Sequence, residues 1–205
     1  MKKIFAFLAV LLFISTSSFL SQVPSSLTKK ERRDAISLLK ETKKYFLKNV
    51  KGLSDAQLDY KAAPEKWSVR QCMEHIALSE SFLDKIMEAT MKAPATPEKR
   101  AEIKVTDEQV VTMVEDRSKK AQAPEPIQPK GSFATSDDII NKFNEMRDKH
   151  IDFMKSTQED LRNQCTPHPA FGMLDNYQWM LLLAAHSKRH TLQIEEVKAS
   201  PGFPK

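Results

Sequence analysis

Proline and glycine are confined to short intervals of this sequence, and that distribution restricts the fold more than any other feature. The 205 residues include only 4 glycines and 11 prolines. A β-sandwich or a β-barrel needs glycine at many tight turns, so the composition argues against both. Long proline-free stretches remain, as an α-helical protein requires. The sequence therefore predicts helices joined by proline-containing connections.

Four of these stretches carry apolar residues at helical spacing. They run from about Lys29 to Val50, from the residue after Trp67 to about Met91, from the residue after Thr135 or Ser136 to about Thr157, and from about Asp175 to Ala199. Residues 52–66 and 166–172 are expected to be loops. Four helices of about 20 residues each are typical of an all-α four-helix bundle.

A long connection, residues 92–134, separates the second and third predicted helices. Thr106 begins a capping box and a short helix that ends at about Lys119. Three prolines then follow within six residues and favour an extended chain, at Pro124, Pro126 and Pro129. The pattern predicts a crossover within one bundle rather than a domain boundary.

The N-terminus has the layout of a secretory signal peptide. A basic start, Met1 to Lys3, precedes an apolar run from Ile4 to Ile14 and then small polar residues. We predict a signal peptide over residues 1–22 and one bundle domain over residues 23–205; an uncleaved N-terminal anchor is the alternative. The expected location is secreted or periplasmic, with no membrane association after signal removal.

The formal net charge is +5, but lysines and acidic residues alternate along most segments, as on solvated helix faces. Basic runs interleaved with aromatic residues are missing from the sequence, so we expect no nucleic-acid partner. Two cysteines, Cys72 and Cys165, could form a disulfide in an oxidising compartment. Two thiols alone do not establish one.

Two histidines four residues apart, His186 and His190, lie within the predicted buried stripe of the last helix. Rings at this spacing can reach one metal ion. Buried without partners they would be costly, and a metal satisfies both. His75, on the edge of the apolar arc of the second helix, is the natural third ligand, because facing helices of a bundle build such sites. The alternative is ordinary packing of satisfied core histidines.

Three histidines and an open position are the arrangement of a catalytic zinc, which acidifies a bound water. Glu80 falls on the inward side of the second helix, either as an interhelical ion-pair partner or as a proton-handling group near the metal. His150 is expected to pack in the core or to support the ligands, and His168 to hold a loop or line the mouth of the site.

Three further residues have structural interpretations. Trp67 and Trp179 are expected to anchor the core. Cys72 and His75 lie three residues apart and could form a nucleophilic pair, but Cys72 on the apolar face is expected to be buried and inert.

Two blocks of the sequence together resemble the DinB superfamily. The first is Trp67-Ser68-Val69-Arg70-Gln71-Cys72-Met73-Glu74-His75-Ile76; the second combines His168-Pro169-Ala170-Phe171-Gly172 with Trp179 and His186-x-x-Arg189-His190-x-x-Gln193-Ile194. The resemblance implies an up-down-down-up four-helix bundle, a divalent metal, often zinc or nickel, and frequently a homodimer. His75, His186 and His190 match the family's metal ligands.

The family fixes a fold and a metal better than a reaction. An exported, hydrolase-like metalloenzyme acting on a small molecule is the first hypothesis, with entry between the second and last helices near His168 and Phe171. A thiol-dependent transferase or isomerase is an alternative that the signal peptide disfavours, since the usual small thiols are cytoplasmic. A non-catalytic metal-binding bundle and an interaction bundle without metal are the others.

Overall fold

The computed structural model describes residues 27–205, and four long helices form its core. In chain order its elements are α1 (Lys29–Val50), α2 (Asp55–Asp59), α3 (Val69–Lys92), α4 (Asp107–Glu115), α5 (Ser136–Ser156), β1 (Cys165–His168), β2 (Gly172–Asp175) and α6 (Asn176–Lys198), with two short 3-10 helices at Pro97–Glu102 and Glu125–Ile127. The four long helices begin and end within one residue of their predicted bounds. The predicted signal peptide, residues 1–22, lies outside the described residues.

Side-chain caps explain why the starts of the long helices could be predicted from the sequence. Every long helix begins at a capping box, in which a Thr, Ser or Asp oxygen accepts from the third helical N–H and that third residue's side chain accepts from the cap's N–H. The boxes are Thr28 with Glu31, Ser68 with Gln71, Thr135 with Asp138, and Asp175 with Gln178. Because each box satisfies backbone donors that would otherwise lack a partner, it fixes the residue at which the helix starts.

Contacts between the helices establish their directions. The Glu31 carbonyl accepts from the Tyr177 hydroxyl at one end of the bundle, and the Asn49 carbonyl accepts from Lys198 at the other, so α1 and α6 run parallel. By the same reasoning α3 and α5 are parallel, since Glu80 meets Arg147 and Asp84 meets His150 one turn further along both helices.

The two parallel pairs run in opposite directions. His75, near the start of α3, lies beside His190 near the end of α6, whereas the Met87 carbonyl accepts from Asn176 at the start of α6. Around the bundle the order of neighbours is α1, α6, α3, α5. This is the predicted up-down-down-up bundle, and the crossover over residues 93–135 exists because the parallel helices α3 and α5 need a connection as long as the bundle.

Two predicted loops contain regular structure. Residues 52–66 include the short helix α2, which also begins at a capping box. Residues 165–175 form an antiparallel hairpin of β1 and β2, with Gly172 at a positive φ of 73° where the second strand begins. The sequence predicted only a loop here, because strands of four residues are too short to show a periodic pattern; the all-α bundle itself is confirmed. The crossover helix α4 ends four residues earlier than predicted.

The apolar sides of the four long helices form the core, which includes the predicted anchor Trp179. Cys72 and Cys165 are both buried and free, so they form no disulfide. Within residues 27–205, every helix is too short or too polar to cross a membrane.

Candidate metal centre

Three histidines from two antiparallel helices converge between α3 and α6. The Nε2 atom of His75 lies 3.1 Å from Nε2 of His190 and 3.3 Å from Nε2 of His186. One nitrogen from each ring falls within 4.8 Å of the other two. The predicted trio is therefore brought together in the structure, with its nitrogens directed at a common point.

Their hydrogen bonds fix the tautomers of two of the rings. A backbone carbonyl can only accept, so Nδ1 of His75 donates to the Ile127 carbonyl at 2.7 Å. Nδ1 of His190 donates to Oε1 of Gln193 at 2.9 Å, and Arg117 donates to the same oxygen. In the neutral rings the Nε2 atoms of His75 and His190 therefore both carry lone pairs, and they face each other without a proton between them.

Protonation of the rings is disfavoured. Burial lowers the pKa of His75 despite the opposing Ile127 carbonyl. Burial, followed by the charges of the neighbouring rings, holds the pKa values of His186 and His190 well below 6.5. Facing lone pairs repel each other, and these rings resist the proton that would relieve the repulsion.

A divalent metal ion fits the donor set. In a tetrahedral zinc site with Zn–N bonds of about 2.0–2.1 Å, neighbouring ligand nitrogens lie about 3.3 Å apart. The two Nε2–Nε2 separations, 3.1 and 3.3 Å, are close to that value. Imidazole donors suit zinc and nickel alike. Within residues 27–205 this is the one group of three or more His, Cys, Asp or Glu side chains close enough to hold an ion. His186 is the only partly exposed member of the group, so another ligand can approach from its side.

The crossover supports the cluster through Glu74 on α3. The Glu74 carboxylate is buried and accepts from the backbone N–H groups of Lys130, Gly131 and Ser132 at 2.7–3.1 Å. These bonds hold the segment that presents the Ile127 carbonyl to His75. Glu74 thus orients a candidate ligand through the backbone, a role described for the partners of metal-binding histidines.

Trp67 covers the same cluster. Its ring centroid lies 4.9 Å from that of His75 and 6.0 Å from that of His190. The indole is half-buried and lies at the end of the bundle where α3 begins. It is therefore a wall of the cluster as well as the predicted core anchor.

His168 lies at the end of β1 with its ring near the rings of Phe171 and Trp179, at centroid distances of 4.9 and 5.1 Å. Its Nδ1 accepts from the Ala170 N–H at 3.1 Å, which leaves the proton on Nε2. The ring is close enough to His186 for its charge to lower the pKa of His186. Both alternatives open in the sequence, a loop contact and a place near the site, are compatible with this position.

Glu80 takes part in an ion pair, one of the two roles left open by the sequence. Its two carboxylate oxygens accept from Arg147, and one of them also meets His150 Nδ1 at 3.1 Å. Burial alone would raise the pKa of the Glu80 carboxyl, but Arg147 and His150 outweigh it and lower the pKa. Because both oxygens are engaged, we assign Glu80 no proton-transfer role.

His150 is buried at the other end of the same group. Its Nε2 meets Asp84 at 3.1 Å. Burial alone would lower the pKa of His150, but hydrogen bonds and charges from Asp84 and Glu80 raise it. His150 is thus a satisfied core histidine, and its hydrogen bonds go to these carboxylates rather than to the three-histidine cluster.

Sequence reasoning missed Arg147, which joins all four long helices. Besides Glu80 on α3, the guanidinium donates to the Leu39 carbonyl and Thr42 on α1 and to the Ser187 hydroxyl on α6. The available signal was its position, four residues after Phe143 on the apolar stripe of α5. An arginine on such a stripe needs buried partners.

Cys72 is fully buried, and burial raises the pKa of its thiol to about 12. The thiolate needed for nucleophilic chemistry is therefore scarce at neutral pH. The structural role expected for Cys72 agrees with this environment.

Comparisons with known proteins address the whole bundle. The sequence profile of the DinB superfamily matches residues 38–194. YuaE of Bacillus subtilis (strain 168), described as uncharacterized, is 27% identical over 163 residues, which cover 80% of this chain and 96% of YuaE. The structure of YfiT from Bacillus subtilis, described as a probable metal-dependent hydrolase with an unusual four-helix bundle topology, is similar with a TM-score of 0.59. At 17% identity over 87% of this chain and 92% of YfiT, that similarity concerns the fold.

Proposed function

The chain belongs to the DinB superfamily, and from this premise and the geometry of its histidines we propose that it is a divalent-metal-dependent, hydrolase-like enzyme acting on a small molecule. The observation that carries the proposal is the pair of lone-pair-bearing Nε2 atoms, on His75 and His190, that face each other 3.1 Å apart. A cation between the rings would give both lone pairs a partner and remove the cost of burying them without one.

His75, His186 and His190 would hold the metal, with zinc or nickel the first candidates. When bound, such an ion polarises a carbonyl or phosphoryl oxygen and lowers the pKa of a water. Two of its holders keep their orientation through bonds already present, His75 on the Ile127 carbonyl and His190 on Gln193. Fixed rings keep their nitrogens aimed at one point without rearrangement.

Substrate would approach from the side of His186, the partly exposed member of the trio. His168 is close enough to His186 to lower the pKa of His186. The partly exposed rings of His168 and Phe171 lie together, and the buried ring of Trp179 packs against His168. Aromatic walls of this kind favour a small, partly apolar molecule. The proton on Nε2 of His168 makes that ring a hydrogen-bond donor toward substrate. The signal-like N-terminus supports export of the protein.

The decisive measurement is metal content in protein purified without a histidine tag. We expect about one zinc or nickel per chain for the wild type, and loss of that metal in His186→Ala. His168→Ala is the matched control: it removes an imidazole outside the trio and should keep the metal. A wild type that binds neither Zn²⁺ nor Ni²⁺ on titration would remove the proposal.

The reaction class requires a second assay. The metal-loaded protein is tested on a panel of small esters, amides and phosphate esters, with and without an added thiol. Turnover that needs the metal and no thiol supports hydrolysis. Turnover only with the thiol would replace it by thiol transfer, and stoichiometric metal without turnover on any substrate class would point to a non-catalytic metal-binding bundle.

A further inference from the structure

A groove between α1 and α5 collects most of the chain's excess positive charge. It has a volume of about 630 Å³, and Leu47 and Ile151 provide its apolar surface. Its charged lining, here called the lysine groove, consists of Lys40, Lys43, Lys44, Lys48, Lys51, Lys155, Asp148 and Asp152. Six lysines face two aspartates, a local charge of +4, whereas the whole chain carries +5. The alternation of charge seen along the sequence therefore breaks down on this face.

Only part of that charge is neutralised by the protein itself. Lys43 pairs with Asp148 and Lys155 with Asp152, each at 2.7 Å. The other four lysines of the groove are exposed, and within residues 27–205 they have no carboxylate within ion-pair distance; they are Lys40, Lys44, Lys48 and Lys51. The first three lie at successive four-residue intervals on α1, where like charges repel and destabilise a helix. Lys48 lies in the last turn of α1, where the helix dipole favours a cation. Lys40 and Lys44 lie earlier in the helix and have no such benefit, so an external partner is the simplest use of the row.

The residue types indicate the kind of partner. The groove contains lysine and no arginine or aromatic side chain. Lysine is depleted in the cores of protein interfaces, where arginine and aromatic residues are enriched. Single-stranded nucleic acids are bound by aromatic stacking and arginine as well as by charge. A row of flexible, strongly hydrated ammonium groups suits diffuse attraction to a charged surface instead.

We propose that the lysine groove docks the protein on an anionic phospholipid surface. The attraction would act between the ammonium groups and the lipid phosphates, without insertion of a helix. Peripheral docking of this kind departs from the sequence-based expectation of no membrane association after signal removal. It is independent of the proposed enzymatic function, because none of the groove residues takes part in the histidine cluster.

The arrangement of helices gives such docking an orientation. Around the bundle, the edge formed by α1 and α5 lies opposite the edge formed by α6 and α3, which holds His75, His186 and His190. A protein resting on its α1–α5 edge would present the histidine cluster to solvent. A small molecule could then reach the partly exposed His186 while the protein stays at the lipid surface.

The test is cosedimentation of the chain over residues 23–205 with vesicles of 70% phosphatidylcholine and 30% phosphatidylglycerol, against vesicles of phosphatidylcholine alone, at low salt. Each lysine near an anionic surface contributes about fivefold to partitioning. The triple variant Lys40→Gln, Lys44→Gln, Lys48→Gln should therefore lose about 100-fold in binding to the anionic vesicles. Wild-type binding should also fall steeply with added salt.

A matched triple variant separates the groove from net charge. Lys61→Gln, Lys85→Gln, Lys120→Gln removes three exposed lysines outside the groove, and we expect it to keep nearly wild-type binding. Circular dichroism and the melting temperature establish that both triple variants are folded. Equal losses in the two variants would overturn the proposal. A second outcome would also overturn it: the wild type binds inorganic polyphosphate or DNA through the groove lysines but does not bind the anionic vesicles.

Discussion

Two buried polar clusters each include residues of α3. They differ in whether the protein itself provides partners for their polar atoms. In the first cluster, hydrogen-bond donors meet acceptors and opposite charges pair with each other. Its members are Arg147, Glu80, His150 and Asp84. In the second, His75, His186 and His190 turn nitrogens toward one another, and at least two of these carry lone pairs.

This difference separates structure from function. Buried polar groups in folded proteins have partners, so a cluster that closes on itself needs no ligand. A cluster whose acceptors face one another lacks such partners, and a cation would supply them. The first cluster is here called the clamp and consists of Arg147, Glu80, His150 and Asp84. Along α3, His75 in the candidate binding site lies only five residues before Glu80 in the clamp.

The largest expected effect is the loss of stability when the clamp is broken. Arg147→Met leaves the Glu80 carboxylate buried without its main partner, and we expect the free energy of unfolding to fall by about 3–5 kcal/mol. In metal-free protein, His186→Leu removes a ring from the unsatisfied cluster and should cost less than about 1 kcal/mol. Urea denaturation of both variants, monitored by circular dichroism, measures the contrast.

A second change tests whether this loss of stability comes from the unpaired charge of Glu80. Glu80→Gln added to Arg147→Met removes that charge and should restore part of the lost stability. If Arg147→Met costs no more than metal-free His186→Leu, the distinction between the two clusters fails.

The next effect concerns the histidine cluster alone. Glu74→Gln weakens the three backbone hydrogen bonds that hold residues 130–132, and with them the carbonyl that orients His75. We expect zinc affinity to fall about 10- to 100-fold, as for other residues that support metal ligands. Isothermal titration with Zn²⁺ measures this change. The control is Glu88→Gln on the same helix, a partly exposed carboxylate that pairs with Lys149 and not with the crossover. Unchanged affinity would show that the crossover does not orient the ligand.

The smallest effect is a pH dependence of the clamp. The folded-state pKa of His150 is raised above its ordinary value of 6.5. Its charged form therefore stabilises the fold fully below pH 6.5, and this contribution is lost as the pH rises through the raised pKa. We expect wild type to exceed His150→Gln in unfolding free energy by about 1 kcal/mol at pH 6, with the gap narrowing as the pH rises.

Urea titrations of the metal-free proteins between pH 5.5 and 9 measure that gap. The three clustered histidines titrate alike in wild type and variant, so their contribution cancels in the difference. A gap that widens with rising pH would contradict the charged state assigned to His150.

The helices and the histidine trio were predictable because their signals are local. A capping box spans four residues, and the spacing of His186 and His190 spans one helical turn. Both can be read from a short window of sequence. The third ligand, His75, followed from its apolar surroundings and from the family resemblance, and the structure brings its ring to the other two.

Other features depend on partners far away in the chain. From the apolar spacing of the second helix alone, Glu74 and Asp84 are assigned to its polar face, yet both are buried. Glu74 is covered by the crossover more than 50 residues later, and Asp84 by His150 and Lys149 on α5. A helical wheel describes one helix and cannot show what packs against its polar side.

The sequence by itself determined where the long helices start and end, and which histidines share a buried stripe, because hydrogen bonds and side-chain spacing within a few residues control both. Only the tertiary structure decided that Arg147 would clamp four helices, that Glu74 would hold the crossover, and that lysines of α1 would gather in a groove beside α5. Each of these depends on burial and on electric fields created by segments that meet only after the chain has folded.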